Sequence, residues 1–157
     1  MTAFHLAQVN IGRLLAPVDD PRIDGFRNNL ARINAVADAQ PGFVWRLTGV
    51  GDDATDIRPD GADPLLAINV SVWESAEHLA AFAYRTEHRE FVRRRLEWFQ
   101  PATQAIYALW WVAAGERPDP AECIQRIFHL RANGPSPHAF DFAHRFPAPA
   151  PALETQS

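Results

Sequence analysis

Between Leu66 and Trp73 the chain alternates: Leu66, Ile68, Val70 and Val72 fall on one side, and Ala67, Asn69, Ser71 and Trp73 on the other. Period two predicts a strand with one strongly apolar face. Ser75 then stands where a helix N-cap belongs, and Leu79, Phe82 and Ala83 form a helical stripe. A second stripe at Phe91, Val92, Leu96 and Phe99 lies out of phase with the first by roughly 150° if the helix turns about 100° per residue. One straight helix cannot bury both stripes. The pattern therefore predicts a break within Tyr84 to Glu87, with Thr86 capping a restarted helix that reaches Phe99. On that helix His88 and Arg95 share the inward face. Arg89, Glu90, Arg93, Arg94 and Glu97 take the solvated face, where Glu90–Arg94 and Arg93–Glu97 have ion-pair spacing.

The same reading organises the rest of the chain. Phe4 to Ile11 is a strand whose one face carries Phe4, Leu6, Gln8 and Asn10. Ile23, Phe26, Leu30, Ile33 and Ala37 mark a helix that Pro41-Gly42 stops, and Phe43 to Val50 is a second strand. Gly51 to Pro64 reads as an acidic loop without the ligand spacing of a calcium-binding hand. Ala105 to Ala113 is the fourth strand. Its adjacent Trp110 and Trp111 point to opposite faces, so both sides of the sheet must be covered. Asp119 and Pro120 open a last helix that Asn133-Gly134-Pro135 closes, after which Pro137 to Phe142 is expected to run extended, anchored by Phe140 and Phe142. Residues 1–146 thus form one domain, and residues 147–157 a disordered tail rich in proline and alanine.

The order strand, helix, strand, strand, helix, strand predicts an α+β, ferredoxin-like βαββαβ sheet with helices on one face and an extra C-terminal helix. Its uncovered apolar face predicts pairing with a second sheet across a two-fold axis, a homodimeric α/β barrel.

Composition narrows the function. A net charge of −4 gives no electrostatic reason to expect nucleic acid. No apolar run reaches the roughly 20 residues of a membrane span. The start of the chain lacks a signal pattern, so a cytoplasmic address is expected. Cys123 is the single cysteine, which excludes an intrachain disulfide and a thiolate-cluster metal site, and its helical setting predicts a buried spectator. No glycine-rich phosphate loop or serine elbow occurs.

Chemistry then rests on few residues. His88 has the pKa range of a general acid or base, or packs as a buried imidazole. Arg95, if inward, meets an anionic ligand, a buried partner or water at the end of a snorkelling stem. Trp73, Trp98, Trp110 and Trp111 either line a flat aromatic pocket or build the core. Gln8, Asn10, Asn69 and Ser71 are strand polar groups able to orient a ligand, or to bond one another across strands.

The segments HLAQVNIGRL, INAVADAQPGFVWRL, NVSVWES, AFAYRTEHREFVRRRLEWF, ALWWVAAGERPDPAE and HLRANGPSPHAFDF resemble a bacterial domain-of-unknown-function family, similar to the antibiotic-biosynthesis-monooxygenase-like dimeric α/β barrels. The resemblance spans nearly all of Phe4 to Phe142. It implies a cavity between sheet and helices for a small aromatic or polyketide-like substrate, and oxygenase, cyclase or isomerase chemistry without a cofactor. It also implies an alternative, a haem-binding or non-catalytic barrel in which His88 would be the iron ligand.

Overall fold

The structure is a computed structural model, and it describes residues 4–48 and 63–149. Among these, four strands form one antiparallel sheet: β1 (Phe4–Arg13), β2 (Phe43–Arg46), β3 (Leu66–Trp73) and β4 (Tyr107–Ala113), in the order β2-β3-β1-β4. Four α-helices accompany it: α1 (Asp24–Asp38), α2 (Ala76–Arg85), α3 (His88–Arg93) and α4 (Pro120–Asn133). None is long and apolar enough to cross a membrane.

Local signals set most of the boundaries. Ser75 and Asp119 cap α2 and α4 by accepting the backbone N–H groups of His78 and Glu122. Gly42 turns the chain from α1 into β2 with φ of 83°, and a Cβ there would lie 2.2 Å from the His78 ring, so only glycine fits. Two strands differ from the expected ranges. β2 ends at Arg46, after a register shift between Phe43 and Trp45, and the expected continuation to Val50 runs beyond the described residues. β4 begins at Tyr107 because the Ala105 carbonyl accepts from Arg131 Nε of α4, at 2.7 Å, rather than joining the ladder.

The sheet buries both faces. On one, Ala7, Val9, Val70, Val72, Ala108 and Trp110 pack against Cys123, Ile124, Ile127 and Leu130 of α4. On the other, Leu6, Trp73 and Leu109 pack against Ile33 and Ala37 of α1 and Leu79 and Phe82 of α2. The expectation of helices on one face alone is therefore corrected. Trp110 and Trp111 do face opposite sides, but α4, not a second sheet, covers the Trp110 side. The four-residue apolar stripe of α4 seals most of that surface within the same chain. Burial also pushes the Cys123 thiol up to about 12, which makes it inert at neutral pH.

After α4 the chain returns along the edge of β4. Phe140 and Leu109 exchange backbone hydrogen bonds of 2.8 and 2.9 Å, which sets Ala139 into one core and Phe140 into the other. The anchoring expected of Phe140 and Phe142 is realised: Phe140 is fully buried, and Phe142 packs on Tyr84 and Tyr107. Pro147 to Pro149 are exposed. The remainder of the expected tail lies outside the described residues.

Candidate functional site

The break predicted after Tyr84 builds the site. Helix α2 stops at Arg85, leaving its last carbonyls without helical partners. Thr86 Oγ1 donates to the Phe82 carbonyl and accepts from the His88 backbone N–H at 3.2 Å, while the His88 ring meets the Ala83 carbonyl at 3.2 Å through Nδ1. A carbonyl only accepts, so Nδ1 carries the proton and Nε2 keeps its lone pair. The ring leans on Phe82 at 4.7 Å, and desolvation holds its pKa below the ordinary value, leaving His88 neutral at pH 7.

The restarted helix is shorter than expected. α3 ends at Arg93 and a 3₁₀ turn, Arg95–Glu97, follows. Within α3 Val92 already faces outward, and the tighter turn leaves Leu96 exposed too, at 47% and 64%, instead of buried, while Trp98 swings into the core. The ion pairs take i,i+3 spacing: Arg93–Glu90 at 3.2 Å inside α3 and Arg94–Glu97 at 2.9 Å across the turn replace the i,i+4 pairs expected from the sequence.

Both nearby glutamates are thereby taken. Arg95 has no carboxylate partner among the described residues; its guanidinium lies 5.1 Å from the Phe99 ring centroid. Partial burial depresses its pKa through desolvation, so the charge is held where it is poorly solvated.

His88 and Arg95 line one cavity of about 430 Å³ between the sheet and the layer formed by α1, α2, α3 and the 3₁₀ turn. Gln8, Asn10, Asn69, Ser71, Trp73 and Trp98 line it too. Trp110 and Trp111 do not: Trp110 lies under α4, and Trp111 is tied to the C-terminal segment by a 2.9 Å hydrogen bond from Nε1 to the Phe146 carbonyl. The pocket role expected of these two is corrected, because Trp110 faces α4 on the other side of the sheet and Trp111 lies toward the end of β4 that packs against the C-terminal segment. The four strand polar residues do bond one another. Gln8 Nε2 donates to Asn69 Oδ1 and Ser71 Oγ, each at 2.8 Å, Asn10 Nδ2 donates to Gln8 Oε1 at 3.2 Å, and Trp73 Nε1 donates to Ser71 Oγ at 2.8 Å.

The sequence reading missed Asn34 and Tyr107. Asn34 is 8% exposed and lines the cavity from α1; four residues after Leu30, it sits on that helix's apolar stripe, which was the signal available. Tyr107 lines the cavity from β4, its hydroxyl accepting from the Phe142 backbone N–H at 3.1 Å and its pKa raised chiefly by burial. No aspartate or glutamate is among the described residues lining the cavity. Among the described residues no three histidine, cysteine or acidic side chains gather as metal ligands. The arrangement offers an apolar cavity, the Arg95 cation without a carboxylate partner among the described residues, Arg46 paired with Asp38, one neutral imidazole and a wall of amides. Such a space suits an anionic, otherwise apolar molecule.

Two solved structures are similar to the chain at low identity. One is the crystal structure of NE2512, a protein of unknown function from Nitrosomonas europaea, 11% identical, covering 76% of this chain and 99% of that one with a TM-score of 0.47. The other is PA3566 from Pseudomonas aeruginosa, 14% identical, covering 74% and 99% with a TM-score of 0.47. A likeness of this degree carries no functional meaning. No curated protein matches the chain. The family model described as "Domain of unknown function (DUF3291)" matches residues 5–156, nearly the whole sequence, and the chain belongs to that family.

Proposed function

We propose that the protein is a small-molecule enzyme that binds an anionic, mainly apolar substrate in the cavity and moves a proton on it. The observation that carries this reading is the presence, around one cavity without a described carboxylate, of Arg95, which has no carboxylate partner among the described residues, and of a neutral His88 whose Nε2 keeps its lone pair. Arg95 holds the anionic group, and His88 acts as general base with its tautomer fixed by Ala83. Trp73 and Trp98 supply flat apolar walls. Proton transfer of this kind serves isomerisation, cyclisation or cofactor-free oxygenation of an aromatic or polyketide-like substrate. Those are the activities implied by the resemblance to the antibiotic-biosynthesis-monooxygenase-like group.

A ferredoxin-like core belongs to the same proposal, supported by the strand order β2-β3-β1-β4 and by α1 and α2 packing on a common face. A homodimer also remains a proposal, as does a cytoplasmic address. With α4 packed over one sheet face, the proposed dimer uses a surface other than that face, and light scattering at micromolar concentration tests it: a monomeric mass removes it.

The binding reading is tested with 2-naphthoate, a flat apolar carboxylate. Saturable binding that falls about tenfold or more in folded Arg95→Gln supports it; equal binding by both proteins overturns it. With a co-purified ligand identified by native mass spectrometry, His88→Gln should keep binding and lose turnover by roughly 10² to 10⁴. The second reading, haem binding, draws on the same tautomer, because Nε2 is the atom that would face an iron. His88 and Arg95 are of the right kind for an axial ligand and a propionate anchor. A Soret band in haem-supplemented protein, lost in His88→Gln, selects that reading over the cofactor-free one.

A further inference from the structure

Gln8 and Asn10 of β1 stand directly across the ladder from Ser71 and Asn69 of β3, and all four line the cavity. Their hydrogen bonds can be counted atom by atom. Gln8 spends both Nε2 protons, on Asn69 Oδ1 and Ser71 Oγ, and its Oε1 accepts from Asn10 Nδ2. Asn10 Nδ2 also approaches Asn69 Oδ1 at 3.5 Å. Among the amides what remains is Asn69 Nδ2 and Asn10 Oδ1, which bond to nothing among the described residues, while the Ser71 hydroxyl, accepting from Gln8 Nε2 and Trp73 Nε1, keeps its own proton unspent.

Turning the three amides over together preserves every contact. Asn69 Nδ2 and the Ser71 hydroxyl then donate to Gln8 Oε1, and Gln8 Nε2 donates to Asn10 Oδ1. The two open atoms become Asn10 Nδ2 and Asn69 Oδ1. In either sense the Asn10–Asn69 pair shows the cavity one donor beside one acceptor.

From the opposite wall Asn34 adds a second, independent amide. It is more than nine-tenths buried, lines the same cavity, and makes no side-chain hydrogen bond among the described residues. Its polar atoms are not sealed in the core, so they open on the cavity, where water or a polar ligand group meets them. Three amides, Asn34 buried, Asn10 half-buried and Asn69 exposed, thus turn open valences to a largely apolar cavity, separate from the cation at Arg95.

We propose that this wall is a subsite for a neutral, amide-like edge, a carboxamide or lactam, whose carbonyl and N–H pair with the donor and acceptor of Asn10 and Asn69. The inference rests on the reading of the cavity as a small-molecule site and adds a second recognition point to the anion anchor. A substrate filling both subsites carries an anionic group and an amide-like edge on one apolar body.

The test uses the full ¹⁵N-labelled chain and three probes of one shape: 2-naphthamide, 2-acetonaphthone, in which a methyl replaces the amide NH₂, and 2-naphthoate. Naphthamide should bind saturably, shift the side-chain NH₂ signals of Asn10, Asn34 and Asn69, and bind about tenfold more tightly than the ketone, the value of one hydrogen bond left unmade. In Asn69→Leu that preference should vanish while the Arg95 dependence of naphthoate binding persists. Equal affinities for naphthamide and the ketone in the wild-type chain, unmoved amide signals, or no naphthamide binding each overturn the subsite. The wild-type ratio decides the matter even where Asn69→Leu fails to fold. Naphthoate binding indifferent to Arg95→Gln, with the amide preference intact, would overturn the anion anchor and leave the subsite standing.

Discussion

Replacing Ile127 with alanine tests whether α4 closes the sheet as described. Ile127 is fully buried against the β1, β3 and β4 face, whereas Phe128, the next residue, is 53% exposed. The change removes three carbons from a closed interior, a transfer loss of about 2.4 kcal/mol at about 0.8 kcal/mol per methylene. The unfilled space adds to it, and buried Ile→Ala changes cost about 2–5 kcal/mol in all, so about 3 kcal/mol is expected here. For a chain of this size that lowers Tm by about 6–12 °C, at about 2–4 °C per kcal/mol. Phe128→Ala should stay within about 0.5 kcal/mol of the parent. Thermal melts followed by circular dichroism measure both. An Ile127→Ala protein that melts with the parent, or a Phe128→Ala protein that loses as much, would mean that α4 does not seal this face, and a sheet-to-sheet interface would again be open.

Three further outcomes follow from the geometry. His88 is neutral in the fold with a pKa below its ordinary 6.5, so the unfolded chain binds its proton more tightly. The associated stability is complete above 6.5 and is lost as pH falls through the folded pKa; urea midpoints at pH 7.5 and 5.0 should fall further for the parent than for His88→Gln, and equal falls would contradict the buried neutral ring. Gly12→Ala would bring a Cβ within 2.5 Å of the Phe99 ring that lies beside Arg95, so 2-naphthoate affinity should drop several-fold with β1 still paired; unchanged affinity and unchanged Tm would show that Phe99 does not seat Arg95. Ending the chain after Phe146 keeps the Trp111 hydrogen bond and the Phe140–Phe146 contact, so Tm should match the full chain, whereas ending it after Ala143 should cost at least about 1 kcal/mol; a large loss in the longer truncation would mean that the tail docks.

Short-range chemistry was legible in the sequence. Ser75, Asp119 with Pro120, and Gly134 marked helix ends because caps act on the backbone two or three residues away. The clash of phase between Leu79-Phe82 and Phe91-Phe99 located the break, and the break placed His88 on the last free carbonyls of α2. Alternation along β1 and β3 put Gln8, Asn10, Asn69 and Ser71 on common faces, and the register then set them opposite one another. Periodicity identifies an apolar stripe without naming what it meets. The stripe of α4 was visible, but its seat on the sheet face depends on contacts with β1 and β3, more than 50 residues earlier, which no local pattern encodes. The 3₁₀ turn at Arg95 was equally hidden: it leaves Leu96 exposed and buries Trp98 because packing against Phe26 and Phe91 outweighs the regular helical phase. Asn34 was readable as a polar residue on an apolar stripe. Only the assembled walls from α1, β1, β3 and the 3₁₀ turn show that its amide opens into a cavity shared with Arg95, because a cavity is a property of surfaces that fail to meet, and those surfaces lie far apart along the chain.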